Sequence, residues 1–293
     1  MIINEFTIYY DNIDENFVFV PFGDFHLGCV DFDRIKWEET VDFMVNSPNC
    51  YTMIMGDEGD FVLYTDQRYD PKCVEKKYRE GQAFADPVGC QYQEIKDALM
   101  PMKGRILGVH EGNHEHTIRR DYLRDITLDL AREWEAKPLS FTAMTRLTFA
   151  QKRKNPRQDR NEKVEKSIKY NIYSTHGSGT STTTGSKINR IEKLTKSFDA
   201  DIYLYAHTHL KLITDSQRKL GLSKTGNCKL VDSNKIFALT GGYLKQGQDH
   251  DSHYSERKGY EPLQTGSPAL LFFPGKQRVE LINDVLDLKN RRF

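Results

Sequence analysis

The sequence carries no net charge: 42 Lys and Arg residues balance 42 Asp and Glu over 293 residues. That balance excludes a protein that coats nucleic acid by bulk charge, though not one with a local basic strip. Cysteine is scarce. Cys29, Cys50, Cys73, Cys90 and Cys228 are odd in number, and no two stand in CxxC spacing. A disulfide framework and a zinc ribbon are excluded, and a reducing interior is expected. No apolar run approaches the roughly 18 residues of a membrane span. Met1 to Val20 includes Glu5, Asp11, Asp14 and Glu15, which is unlike a cationic start followed by an apolar stretch. A soluble, cytoplasmic protein without a membrane partner is expected. The sequence also lacks an internal repeat and a Pro/Gly/Ser linker. It therefore reads as one domain over 1–293, with insertions at 64–89 and 151–169.

The composition, 38% hydrophobic and 11% aromatic, is enough for a sizeable core. Short β-rich runs recur, and each ends in polar residues. Phe17–Phe22 runs into Gly23-Asp24-Phe25-His26, and Tyr51–Met55 into Gly56-Asp57-Glu58-Gly59-Asp60. Arg105–Val109 precedes Gly112-Asn113-His114-Glu115, Tyr170–Ser174 precedes His176-Gly177, and Ile202–Tyr205 precedes Ala206-His207-Thr208-His209. Further strands are expected over Thr142–Phe149, Lys166–Thr175, Lys235–Thr240, Pro268–Pro274 and Arg278–Ile282. Helical spacing of apolar residues predicts helices over Asp33–Val45, Gln91–Met100, His116–Ala136 and Ser186–Phe198. Strands alternating with helices give an α/β fold, with functional loops beyond the carboxyl ends of the strands.

Those loops hold Asp24, His26, Asp57, Asp60, Asn113, His114, His176, His207 and His209. Carboxylate, imidazole and amide oxygen together suit Mn²⁺, Fe²⁺ or Zn²⁺, with Mn²⁺ favoured. In Asp24-x-His26 and His207-x-His209, alternate side chains of an extended segment can reach one centre. Seven ligands exceed one tetrahedral ion and suit two ions with a bridging carboxylate. Two ions about 3.5–4 Å apart clamp an in-line displacement at phosphorus and lower the pKa of a bridging water, which then attacks as hydroxide. His114, beside Asn113, is placed to act as the acid for the leaving oxygen.

The ordered series GDFH, GDEGD, GNHE, a lone His before Gly, and AHTH resembles the calcineurin-like metallophosphoesterases. Their pattern is DxH, GDxxD, GNH[DE], H and GHxH, and the match spans Asp24 to His209. The resemblance implies two mixed β-sheets packed as a sandwich and flanked by helices in four layers. It also implies that Asp24, His26 and His209 hold one ion, that Asn113, His176 and His207 hold the other, and that Asp57 bridges. His114 would be the acid and Asp60 would orient it. Two positions depart from the pattern. Ala206 replaces the usual Gly, a small change. Phe61 follows Asp60 where the protein phosphatases of the family have a phosphate-gripping Arg, which argues against a protein phosphatase. Asp24-Phe25-His26-Leu27-Gly28 is similar to the opening motif of the branch containing DNA-repair exonucleases.

Other segments could meet substrate. Gln151–Lys169 has eight basic residues, Lys152 and Arg153 among them, against three acidic ones. Such a strip could grip a phosphate backbone, or be a solvated hairpin tip. Tyr243, Lys245, Arg257 and Tyr260 could line a pocket with stacking and phosphate-pairing groups. His110 and His116 read as bystanders. Ser178–Ser186 reads equally as a substrate-facing loop or an ordinary helix cap. The leading expectation is a two-metal phosphodiesterase acting on nucleic acid, resembling a DNA nuclease. The alternatives are a phosphatase or phosphodiesterase for a small nucleotide or cyclic nucleotide, and a noncatalytic protein-binding scaffold. The oligomeric state, a homodimer included, stays open.

Overall fold

The computed structural model describes residues 1–66, 69–152, 166–179, 183–215, 219–222, 228–231, 235–245 and 262–291. Its strands in chain order are β1 (Ile2–Tyr10), β2 (Phe17–Phe22), β3 (Cys50–Ile54), β4 (Ile106–His110), β5 (Pro138–Ser140), β6 (Thr142–Gln151) and β7 (Lys166–Thr175). They continue as β8 (Ile202–Tyr205), β9 (Lys211–Asp215), β10 (Lys219–Leu222), β11 (Cys228–Val231), β12 (Ile236–Thr240), β13 (Ala269–Phe273) and β14 (Arg278–Ile282). The α-helices are α1 (Arg34–Asn46), α2 (Lys76–Arg79), α3 (Gly81–Ala85), α4 (Pro87–Leu99), α5 (Asn113–Tyr122), α6 (Ile126–Glu133) and α7 (Thr184–Leu194).

Among the described residues, two six-stranded sheets form, ordered β1-β6-β7-β8-β12-β9 and β14-β13-β2-β3-β4-β5. Both are mixed. In the second, β2, β3, β4 and β5 run parallel while β13 pairs antiparallel on each side. The all-apolar β2 is buried along its whole length, as a central strand covered on both faces must be. The sheets face each other through Phe19, Met53, Leu107, Phe149, Ile172, Leu204 and Phe272, all buried. The outer face of the second sheet carries α1, α4 and α6 over Trp37, Met44, Ile95, Leu130 and Trp134. The outer face of the first carries α7 over Ile191, Tyr203 and Leu239. This is the expected four-layer sandwich. Among the described residues no helix is long and apolar enough to cross a membrane.

Local chemistry sets the helix ends. Asp33 caps α1 by accepting from the Lys36 amide, and Asp125 caps α6 through the Leu128 amide. That second cap corrects the sequence reading. The apolar stripe of 116–136 predicts one helix, but the chain breaks at Leu123, which is left-handed (φ 57°) and 90% exposed, before Asp125 starts a new helix. Ile35 faces solvent, while α1 buries Trp37, Val41, Phe43 and Met44. Residues 64–89, read as an insertion, contain the short helices α2 and α3 and the start of α4. The strand β1 was not foreseen. It pairs parallel with β6 over nine residues.

Candidate metal centre

The parallel strands aim five loops at one place. Asp24 and His26 follow β2, Asp57 follows β3, Asn113 and His114 begin α5 after β4, His176 follows β7, and His207 and His209 follow β8. Their backbones are held by each other. The amides of Asp24 and His26 donate to the carbonyls of Gly56 and Asp57, and Asp60 N donates to the Leu27 carbonyl. Asp24, His26, Asp57, His207 and His209 all have φ between 51° and 65°. Non-glycine residues hold that left-handed conformation at a cost, and such strain clusters at functional sites. Glycine is required where the loops touch. A Cβ on Gly112 would stand 2.2 Å from Asp57 Oδ1 and 2.3 Å from its amide nitrogen. Ala206 takes no left-handed angle, so its methyl fits, and its amide donates to the Thr175 carbonyl.

The side chains form three overlapping triads, and within each triad the ligating atoms lie within 4.8 Å of one another. They are Asp24, His26 and His209; His26, Asp57 and His114; and Asp57, His176 and His207. Asp57 Oδ2 joins them, 3.8 Å from His26 Nε2 and 3.3 Å from His176 Nε2. Asn113 Oδ1 sits 3.2 Å from His176 Nε2, on the side of the third triad. His26 and His209 bring their Nε2 atoms to 3.2 Å, and Asp24 Oδ1 is 3.4 Å from His209 Nε2.

A cation fits these groups. Asp24 Oδ2 accepts from the His207 amide, but Asp24 Oδ1 is buried with no hydrogen-bond donor. A buried carboxylate oxygen without a partner is costly unless something positive meets it. His176 is oriented for the same purpose: with its proton on Nδ1, it donates to the Met55 carbonyl at 2.8 Å and turns the Nε2 lone pair toward Asp57 and Asn113.

The electrostatics agree. Burial holds Asp24 well above the usual carboxylate range, with the Asp57 charge adding to it against His176. Burial also opposes charge on Asp57, but the His176, His114 and His26 imidazoles outweigh it and hold Asp57 well below that range. Burial, then the His207 charge, lowers His209 to about 3. Burial, then His176, lowers His207 to about 4. Burial works against charge on His176 as well, yet the Asp57 carboxylate raises it to about 10. His207 and His209 therefore stand neutral and ready to ligate, while His176 keeps a proton that a cation would displace.

His114 presents an edge to the His26 ring, with centroids 4.7 Å apart. Its Nδ1 is in close contact with the main-chain carbonyl of Asp60, while the Asp60 carboxylate Oδ1 lies 3.7 Å away. The Asp60 carbonyl is thus the nearer of the two Asp60 groups to His114. Phe61 is fully buried, and its amide donates to Gln91 Oε1. That position faces the core and not the site.

Several expectations need correction. Tyr243 is not a pocket wall. Its ring is fully buried against Phe22 and Phe25, and its hydroxyl bonds to Thr40 and Ser267, so no stacking face is exposed. Lys152 follows the end of β6 opposite Thr142 and His176, about 30 Å away at ~3.3 Å per residue, and pairs with Asp11. Lys245 lines a cavity with Lys36 and Lys211, outside the three triads. Arg153, Arg257 and Tyr260 lie outside the described residues. His110 is buried between the Ser140 carbonyl and Ser174 Oγ, as a bystander should be.

The sequence reading passed over Glu115. Its carboxylate accepts three main-chain amides: Asp57 and Gly112 on Oε2 at 3.0 Å each, and Glu58 on Oε1 at 2.9 Å. It thus ties the loop after β3 to the start of α5. An acid at the third position of a helix, behind Gly112, is the available signal. Lys187, buried on α7, and Arg190, which donates to the Ser178 and Gly179 carbonyls, add positive charge beside His209 and His207.

No known family profile matches the chain. No curated protein matches it either. Among solved structures, a conserved uncharacterized protein of Streptococcus pneumoniae TIGR4, described as a predicted phosphoesterase, overlaps 88% of this chain and 84% of its own, at 12% identity and a TM-score of 0.31. So loose an overlap says nothing about activity.

Proposed function

We propose that this chain is a metal-dependent phosphoesterase with a two-cation centre, acting on phosphodiesters and favouring nucleic acid over free nucleotides. The observation that carries the reading is the placement of Asp57 Oδ2 between His26 and His176, which makes one carboxylate common to two triads. Asp24, His26 and His209 would hold one cation, and His176, His207 and Asn113 the other, with Asp57 shared. Two such cations supply water activation at neutral pH and neutralise charge on phosphoryl oxygens. The mixed O/N donor set favours Mn²⁺.

The chain's own residues would do the rest. His114, anchored through Nδ1 to the Asp60 carbonyl, keeps that bond when protonated and has Nε2–H to donate to a leaving oxygen. Lys187 and Arg190 sit where they would attract an anionic substrate. The nucleic-acid preference rests on the Asp24–Gly28 opening motif.

The test offers the full chain with Mn²⁺ single-stranded DNA, a chromogenic phosphodiester and a chromogenic phosphomonoester. DNA shortening that is lost in Asp57→Ala supports the proposal. Turnover of the monoester alone overturns the diester preference. No turnover, together with no bound metal by elemental analysis, overturns the enzyme.

A further inference from the structure

We propose that the cavity formed by Lys36, Lys211 and Lys245 beside the metal centre is a binding site for a phosphoryl anion. The cavity measures about 430 Å³ and is completed by Leu263, Gln264, Thr265 and Asp284. Its three lysines come from α1, the start of β9 and the segment after β12. Lys211 donates to Asp284 Oδ2 at 2.5 Å and to the Thr265 carbonyl at 3.0 Å. Lys36 meets the same Asp284 oxygen at 3.0 Å, and Lys245 pairs with Asp33 Oδ1 at 2.9 Å. Each ammonium has three N–H donors, so all three lysines retain donors beyond these partners.

Three ammonium groups against two carboxylates leave the cavity positive. Their side chains are 26%, 9% and 33% exposed for Lys36, Lys211 and Lys245, so solvent screens them incompletely. Donors converging from three separate elements suit a group with three or more acceptor oxygens, which is a phosphoryl group and not a carboxylate.

Glycine backbone lies between the cavity's lysines and two of the candidate metal ligands. The Gly266 amide donates to the Gly242 carbonyl at 2.9 Å. A Cβ on Gly242 would lie 3.2 Å from Asp24 Cβ and 3.3 Å from His209 Cβ. A Cβ on Gly266 would lie 3.0 Å from Asp284 Oδ2 and 3.2 Å from Lys211 Nζ. Lys211 is also only two residues beyond His209. The phosphoryl group is either a flanking phosphate of a phosphoester held at the metal centre, which rests on the proposed function, or free phosphate, which does not.

Calorimetric titration of inorganic phosphate into the full chain, with Mn²⁺ and with chelator, decides the site. The expected result is a binding component that persists in chelator, weakens about tenfold in Lys36→Ala and in Lys245→Ala, and is retained in Lys245→Arg. Absence of that component in the wild type, or equal binding by both alanine variants with unchanged folding by circular dichroism, overturns the proposal. The source is read from KM for the dinucleotide TpT with and without a 5′-phosphate. A flanking phosphate raises KM in Lys36→Ala only for the phosphorylated form. A free phosphate leaves both KM values unchanged and weakens inhibition by added phosphate. If the wild type cleaves neither dinucleotide, the proposed function fails while the calorimetric result still judges the cavity.

Discussion

Asp57 Oδ2 stands 3.8 Å from His26 Nε2 and 3.3 Å from His176 Nε2, while Asp57 Oδ1 accepts from the His114 amide. One carboxylate thus serves two imidazoles with one oxygen and fixes the start of α5 with the other. Replacing Asp57 should cost more bound metal than replacing any single histidine around it. Asp57→Ala is expected to lower Mn²⁺ stoichiometry, measured by elemental analysis after gel filtration, from two per chain to one or fewer. Phosphodiester turnover should fall by about 10²–10³-fold. Retention of two ions per chain would remove Asp57 from the shared position.

His114 and Asp60 separate differently. The near anchor of His114 Nδ1 is the Asp60 main-chain carbonyl, which Asp60→Asn leaves in place. That variant should keep turnover within about tenfold of wild type, whereas His114→Ala should keep its metal and lose about 10²–10⁴-fold in kcat. Equal losses would make the Asp60 carboxylate the orienting group. Loss of metal in His114→Ala would make His114 a ligand.

The strands and the loops that follow them were legible because each is a short apolar run closed by Asp, Asn, His or Gly. β2 and β8 fall on the predicted residues, and the loops after β2, β3, β4, β7 and β8 do meet. What periodicity could not show was direction and depth. Tyr243 reads as a pocket aromatic by type, yet Phe22, Phe25, Thr40 and Ser267 enclose it. Lys152 reads as part of a strip that could grip a phosphate backbone or be a hairpin tip, and the antiparallel pairing of β6 with β7 puts it at the opposite end from His176. Glu115 was hidden because its partners are main-chain amides, which a sequence does not display.

Glu115 should matter for stability as much as for the site. Charge-assisted hydrogen bonds contribute about 1.5–3 kcal/mol each, and removing the shared acceptor leaves three buried amides to find others. Glu115→Ala is expected to lower unfolding free energy by about 3 kcal/mol or more in urea titrations. Glu58→Gln should do the reverse. Burial, then the Glu115 charge, holds Glu58 well above the usual carboxylate range. The folded chain then keeps a proton that the unfolded chain releases above about pH 4.5, so Glu58 lowers stability as pH rises. Glu58→Gln should gain on wild type as pH rises above about 4.5. An advantage that does not grow with pH above that value would contradict the assignment.

The break at Leu123 offers a clean stability test away from the site. Leu123 is left-handed, 90% exposed and at the C-terminal cap of α5, where glycine is the usual residue. Leu123→Gly removes the steric cost at Cβ without deleting a buried contact. It should stabilise the chain by about 1 kcal/mol, with turnover unchanged. Destabilisation would show that 116–136 prefers the continuous helix.

His110 predicts the direction of acid sensitivity. Burial, against the help of the Ser140 carbonyl, lowers it to about 4 from an ordinary 6.5. The folded chain keeps the ring neutral, with Nδ1–H donated to the Ser140 carbonyl and Nε2 accepting from Ser174. The unfolded chain binds a proton below pH 6.5. Stability from this group is therefore complete above that value and is lost as pH falls toward 4. The full loss is about 3 kcal/mol for His110 alone. His110→Gln keeps an amide donor and an acceptor but does not titrate. Urea unfolding at pH 7, 6 and 5 should show a shallower loss in the variant, by up to one proton's worth of slope. Parallel curves for variant and wild type would mean that His110 is protonated in the folded chain.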